Sequence, residues 1–99
     1  MDRLGLAIDL HQRGLWEQAA ATYREVLAGD PQSADAWHLL GVLAHQCGDQ
    51  VQAQWLIGHA LELRPGEPAF LANLAEVHRA SGELAAAVSC CRAALPEIH

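Results

Sequence analysis

Apolar residues recur along the chain at spacings of three and four, and polar residues occupy the positions between them. This spacing puts the apolar side chains on one face of an α-helix, so it predicts amphipathic helices and not strands. Short segments rich in glycine, proline or aspartate separate six such stretches. The predicted helices span residues 2–13, 16–28, 34–47, 50–63, 68–81 and 84–95.

Glycine and proline divide these helices into pairs. Gly14, Gly48 and Gly82 each follow an odd-numbered helix, where the chain needs a residue that tolerates the left-handed conformation. Proline closes the second and fourth helices, at Gly29-Asp30-Pro31 and Leu63-Arg64-Pro65-Gly66, because it cannot continue a helix and disfavours helix at the preceding residue. The sequence therefore predicts three helical hairpins.

The three hairpins are copies of one unit, because a shift of 34 residues superposes them without a gap. Such self-similarity is the sequence signature of a stack of repeats. We predict a single domain over residues 1–99, with repeats at 1–33, 34–67 and 68–99. The positions in register are Gly14, Gly48 and Gly82; Ala19, Ala53 and Ala87; Leu6, Leu40 and Leu74; Leu27, Leu61 and Leu95; and Ala7, Gly41 and Ala75.

These triplets predict how the hairpins pack. A small residue on each second helix, such as Ala53, lets it approach the first helix closely, and the first helix offers its own small residue, such as Gly41. The leucine triplets then fill the space between neighbouring hairpins. The result would be a hydrophobic core that continues along the stack.

Composition agrees with an all-α fold and narrows the classes of partner. The chain is 52% hydrophobic but only 5% aromatic, and good helix formers dominate. A net charge of -6 would repel a phosphate backbone, so we expect no nucleic-acid partner. We expect no membrane partner either, since no apolar run approaches the roughly 20 residues of a membrane helix.

Two further features point to the cytoplasm. The stretch Met1–Asp9 has two acids and no small-residue cleavage site, which is unlike a signal peptide. The three cysteines, Cys47, Cys90 and Cys91, are an odd number without the spacing of a redox or metal motif. We therefore predict a cytoplasmic protein with reduced thiols.

The middle repeat resembles the tetratricopeptide repeat, whose pattern is Trp-x2-Leu-Gly-x2-Tyr, then Ala-x3-Phe, then Pro. It supplies Trp37, Leu40, Gly41, Ala53 and Pro65, while Ala44 and Ile57 replace the two aromatic residues. The first repeat keeps Leu6, Ala19, Tyr23 and Pro31, and the third keeps Leu74 and Ala87. The resemblance covers essentially the whole chain. It implies a right-handed superhelical solenoid that binds another protein and needs no cofactor.

The same resemblance implies that the first helix of each hairpin lines a concave groove, where a peptide or a partner helix binds. Helical periodicity then identifies the groove residues. They are Leu4, Ile8, His11 and Gln12; His38, Leu39, Val42, His45 and Gln46; and Ala72, Asn73, Glu76, Arg79 and Ala80.

The composition of this predicted groove excludes one mode of binding and leaves another open. Family members that hold a peptide's terminal carboxylate use lysine and arginine, which the corresponding positions lack, so we reject that mode. Other relatives bind the peptide backbone with a row of asparagines along the groove, and Asn73 occupies one such position in this chain. His11, His45 and Arg79 share one register position: either they line up to favour an acidic peptide, or they are unrelated surface residues.

No catalytic or metal-binding constellation is recognisable in the sequence. It contains neither a glycine-rich phosphate loop nor an H-E-x-x-H motif. His38 and His45 are two turns apart on one helix, about 10 Å in rise, which is too far for two ligands of one metal ion. We predict a chain that is not an enzyme.

Two apolar surfaces are candidate interfaces. Trp55 and Val51 form an i, i+4 pair on a face that is normally exposed: either the indole folds over its own hairpin, or it anchors a contact. Leu84, Val88, Cys91 and Leu95 form a stripe on the last predicted helix, where solenoids usually carry a polar cap. The stripe predicts either a homodimer or continuation into a longer protein.

Two functions remain open at this point. The first is a protein-interaction module that binds through its groove and self-associates through the last helix. The second is a substrate-recruiting N-terminal segment of a larger bacterial enzyme, since residues 38–46 resemble repeats that precede glycosyltransferases similar to O-linked N-acetylglucosamine transferase, or sulfotransferases.

Overall fold

A computed structural model describes residues 2–81 of the chain, in which all regular structure is helical. Consecutive helices are joined by connections of three or four residues, so each turns back against the one before it. We number the five helices in chain order. They are α1 (Arg3–Gln12), α2 (Trp16–Gly29), α3 (Ala34–Gln46), α4 (Gln50–Leu63) and α5 (Pro68–Ser81).

The fold confirms the all-α solenoid that the sequence predicts. Each end of these five helices lies within one residue of its predicted position. The sixth predicted helix, 84–95, falls outside the described residues, as do Gly82, Leu84, Val88, Cys91 and Leu95. The division of the chain into three repeats stays a prediction. None of the helices in residues 2–81 is long and apolar enough to cross a membrane.

The turns within the hairpins have the geometry that glycine was expected to provide. Gly14 and Gly48 have φ values of 79° and 90°, in the left-handed region where a side chain is disfavoured. At the first turn the Gly14 amide donates to His11, and the Leu15 amide donates to Leu10. This pair of bonds is a Schellman motif, which satisfies the last carbonyls of α1 and reverses the chain.

Side-chain caps begin three of the helices. Asp2, Ser33 and Asp49 each accept a hydrogen bond from the backbone amide three residues later, at 2.6, 3.3 and 3.1 Å. These bonds satisfy amide groups that have no partner inside the helix. At the other end, Asp30 and Arg64 leave the helical conformation immediately before a proline, as predicted.

Each second helix packs both on its own hairpin and on the next, so the core is shared. α3 makes its largest contact with α4 and a smaller one with α2, while α5 packs on α4. One buried cluster is centred on Tyr23 and Leu43, and the other on Ile57 and Phe70. Trp37 contacts both clusters, which makes the core continuous between the hairpins.

α3 and α4 approach each other closely at Gly41. A Cβ atom added there would lie 2.6 Å from Cγ1 of Ile57 and 3.2 Å from the carbonyl oxygen of Ala53. Ile57 and Ala53 are fully buried and have no room to retreat. The small-residue crossing predicted from the repeat is confirmed here.

One leucine of the predicted inter-hairpin set behaves differently. Leu40 is buried between the hairpins, but Leu6, its register partner, is 41% exposed. Leu40 packs against the hairpin that precedes it, whereas no described helix precedes α1. The expectation that Leu6 fills an inter-hairpin space is therefore wrong for the described residues.

Adding one methyl group at two glycines should change stability in opposite directions. Gly41→Ala should lower the free energy of unfolding by about 1–3 kcal/mol, because the new atom overlaps Ile57 and Ala53. Gly58→Ala, inside α4, should raise it by about 0.5–1 kcal/mol, since no described atom lies within 4 Å of its added Cβ. Urea denaturation measures both, and equal effects would refute the close crossing.

Candidate functional site

A hollow of about 490 Å³ lies between α1 and α3, with the start of α2 at its edge. Its walls combine the aliphatic side chains of Ile8 and Leu39 with polar groups from Gln12, Gln46 and His11. All five of these residues belong to the groove predicted from the sequence. The structure brings them together at one surface, although their role in binding stays a prediction.

His11 connects three helices at the base of this hollow. Its Nε2 atom is 2.5 Å from Oε1 of Gln46 on α3, and its Nδ1 is 3.0 Å from the hydroxyl of Tyr23 on α2. The Gln46 oxygen can only accept, so Nε2 donates to it, while Nδ1 forms the hydrogen bond with the tyrosine hydroxyl. Both ring nitrogens are therefore occupied within the fold.

Tyr23 contacts this histidine through a hydroxyl that keeps its proton. The tyrosine is fully buried, and burial raises the pKa of its hydroxyl to about 12. The two rings meet edge to face, with centroids 5.9 Å apart. The hydroxyl stays protonated at any physiological pH and holds the His11 ring at a fixed angle.

His38 lies deeper than the sequence suggested. It is only 8% exposed, and its ring packs on that of Phe70 from α5 with centroids 4.4 Å apart. Asn73 donates to its Nε2 atom at 2.6 Å. Burial lowers the pKa of the His38 imidazole, and the nearby carboxylates of Asp35 and Glu67 only partly oppose this. His38 and Asn73 thus join α3 to α5.

These two cross-repeat pairs have the same separation in sequence. His11 and Gln46 are 35 residues apart, and so are His38 and Asn73. In both, a histidine on one first helix contacts an amide side chain on the next, one residue beyond the strict repeat. Sequence reasoning missed this relation, because it compared only positions exactly one repeat apart; a search for polar pairs at 35 would have found it.

The other predicted groove residues have varied surroundings. His45 turns back on its own hairpin, with Nδ1 2.7 Å from Oε1 of Gln50. Arg79 pairs with Glu76 on the exposed face of α5, and Val42 is half-buried. The proposed alignment of His11, His45 and Arg79 towards an acidic peptide stays a prediction, and each of the three already has a partner within the fold.

Trp55 folds over its own hairpin and still leaves much of its surface exposed. Its indole meets that of Trp37 edge to face and stacks on the His59 ring, each with centroids 5.9 Å apart. Trp55 is nevertheless 57% exposed, and Val51 is 53% exposed. The fold-over arrangement is therefore present, and the role of the pair as an anchor stays a prediction.

The described residues give no support for a metal site. Between residues 2 and 81, no three histidine, cysteine, aspartate or glutamate side chains are grouped where they could hold one ion. Four of the five histidines of this region, His11, His38, His45 and His59, contact amide groups, a hydroxyl or aromatic rings.

Comparisons with known proteins agree with the fold. A family model described as TPR repeat matches residues 9–48, and a second, described as Tetratricopeptide repeat, matches residues 68–93. The chain is 37% identical, over 78 residues, to the Probable biofilm formation methyltransferase WspC of Pseudomonas putida. The match covers 79% of this chain but only 18% of WspC, so the chain spans less than a fifth of that relative.

The buried state of His38 predicts how stability depends on pH. In the unfolded chain His38 takes up a proton near its ordinary pKa of 6.5, whereas the buried ring resists protonation. Below that pH the unfolded state binds more protons than the folded state, so stability should fall as the pH falls. Thermal unfolding at about pH 7.5 and about pH 5 measures the loss.

A pair of variants isolates the part of this loss that belongs to His38. His38→Gln should show a smaller decrease in melting temperature between the two pH values than the wild-type chain. His59→Gln removes a half-buried histidine of α4 and is the comparison for losing a histidine at another position. An unchanged decrease in His38→Gln would contradict the buried, neutral assignment.

Proposed function

We propose that this chain, which belongs to the tetratricopeptide-repeat family, binds an extended segment of a partner protein on the face formed by α1, α3 and α5. The repeats make the chain a protein-interaction module, and stacked repeats commonly bind along such a continuous surface. Our proposal adds the face, the kind of segment and the residues that contact it.

The observation that carries the proposal is the hollow between α1 and α3. Ile8 and Leu39 offer an apolar surface for one or two side chains of the bound segment. Gln12 and Gln46 stand beside them with amide groups that both donate and accept hydrogen bonds. An extended peptide exposes unpaired backbone amide and carbonyl groups, which these side chains can satisfy.

The charge state of the face supports a segment recognised by its backbone and apolar side chains. Among the described residues that line the hollow there is no lysine, arginine, aspartate or glutamate. The two ring nitrogens of His11 already contact Gln46 and Tyr23 within the fold. We expect affinity for such a segment to depend only weakly on salt, because salt mainly screens interactions between exposed charges.

The similarity to WspC supports a second candidate, in which the same face recruits a partner protein to an enzyme. The relative's name makes a methyltransferase the enzyme to consider, in place of the glycosyltransferase suggested by the sequence pattern. Both candidates use one binding face and differ in what the rest of the protein does. Self-association through residues 84–95 stays a prediction outside the described residues.

A peptide selection tests the binding face. Random 12-residue peptides are displayed and selected against the wild-type chain, and each selected peptide is measured against Gln12→Lys. Gln12 is exposed and lines the hollow, so the lysine adds a charge and a longer side chain there without disturbing the core. We expect most selected peptides to bind about tenfold more weakly, which is a loss of about 1.4 kcal/mol.

Gln18→Lys is the matched control, because Gln18 is exposed on α2 and does not line the hollow. It makes the same chemical change and should leave the affinities unchanged, with circular dichroism confirming that both variants are folded. Equal affinities for Gln12→Lys and wild type, equal losses in the two variants, or failure to select any peptide would each count against the proposed face.

A further inference from the structure

A second hollow, of about 360 Å³, lies between α2 and α4 with α3 beneath it. We call it the α2–α4 cleft. Leu40, Leu43 and Leu56 form its apolar base, and Trp16 stands at one wall with 40% of its surface exposed. It shares only Trp16 with the hollow between α1 and α3, so the two are separate surfaces.

The charges around the α2–α4 cleft are divided between its two ends. Glu17 lies in the first turn of α2, and Asp49 caps the start of α4. Arg24 lies seven residues beyond Glu17, two turns along the same helix and about 10 Å away in rise. The cleft therefore has an acidic end, an apolar middle and a basic end.

Arg24 is more available to a partner than the other arginines of the described region are. Arg3, Arg13, Arg64 and Arg79 each form an ion pair. Arg24 forms none with any residue that the structure describes, and it is exposed at the rim of the cleft. An acidic group from another molecule can therefore contact it without displacing an existing pair.

We propose that the α2–α4 cleft docks an amphipathic helix of a partner protein that presents leucine-like side chains between one basic and one acidic residue. The basic residue lies against Glu17 and Asp49, and the acidic residue lies against Arg24. The distance of about 10 Å between the charged ends matches residues seven apart on one face of a helix, which are two turns from each other. This docking is independent of the segment bound between α1 and α3.

Charge complementarity favours a helix with one basic and one acidic residue over a helix with two like charges. A segment with two acidic residues would bring one carboxylate against Glu17 and Asp49, and a segment with two basic residues would bring one cation against Arg24. Like charges placed together across an interface oppose binding and exclude wrong partners. A mixed pair avoids both clashes, while the leucines fill the apolar middle.

Two model peptides test the inference. The first is an alanine-based helix with glutamate at position i, leucine at i+3 and i+4, and lysine at i+7; the second has lysine at both charged positions. A peptide with its glutamate and lysine exchanged would be a poor control. A helix can bind in either direction, so the exchanged peptide could still place each charge against its complement. We expect the mixed peptide to bind wild type about three- to tenfold more tightly, a modest ratio because the charges are exposed.

Cys47 reports whether binding occurs in the cleft. Its exposed thiol lies on the cleft wall, so the mixed peptide should slow its alkylation by iodoacetamide. Peptide mapping by mass spectrometry measures Cys47 separately from Cys90 and Cys91. Binding without protection of Cys47 would place the peptide elsewhere and overturn the inference.

Arg24→Glu makes both ends of the cleft acidic, so it should reverse the preference in favour of the peptide with two lysines. Arg13→Glu changes the net charge equally at an exposed position outside the cleft and should keep the wild-type preference. Gln12→Lys should also bind the mixed peptide normally, which separates this test from that of the proposed function. Equal affinities for the two peptides, or the same response in both arginine variants, would overturn the inference.

Discussion

The structure depends on how closely α3 approaches α4 at Gly41. A single added carbon would overlap Ile57 there, so the absence of a side chain sets the distance between the two helices. α4 also packs on α5, and α3 contacts both α1 and α5. α3 contributes residues to both hollows along the stack.

The close packing of neighbouring helices also determines which groups the histidine side chains contact. Three of them lie on predicted groove positions, where they could have been ligands or charged contacts. His11 and His38 instead join successive first helices, and His45 closes a turn within its own hairpin. The face between α1 and α3 is consequently left with amide and aliphatic side chains, which suit a peptide backbone better than a charged group.

Much of the fold was predictable because single residues encode its turns. Gly14 and Gly48 determine where the first helices end, and Pro31 and Pro65 determine where the second helices end, whatever the rest of the chain does. The burial of His38 was not predictable in this way. It depends on the packing of Phe70 and Asn73 from α5 against the ring, and neither residue lies exactly one repeat from His38. The contact of Trp55 with Trp37 and His59 likewise depends on side-chain rotamers that periodicity does not specify.

The central claim is that polar pairs between first helices join neighbouring hairpins along the face that we propose for binding. A double-mutant cycle on His38 and Asn73 tests it most directly, with His38→Ala, Asn73→Ala and the combined variant compared by urea denaturation. If the 2.6 Å hydrogen bond contributes as described, the cycle should give a coupling free energy of about 1 kcal/mol. Losses of stability that add to within about 0.3 kcal/mol would contradict the claim.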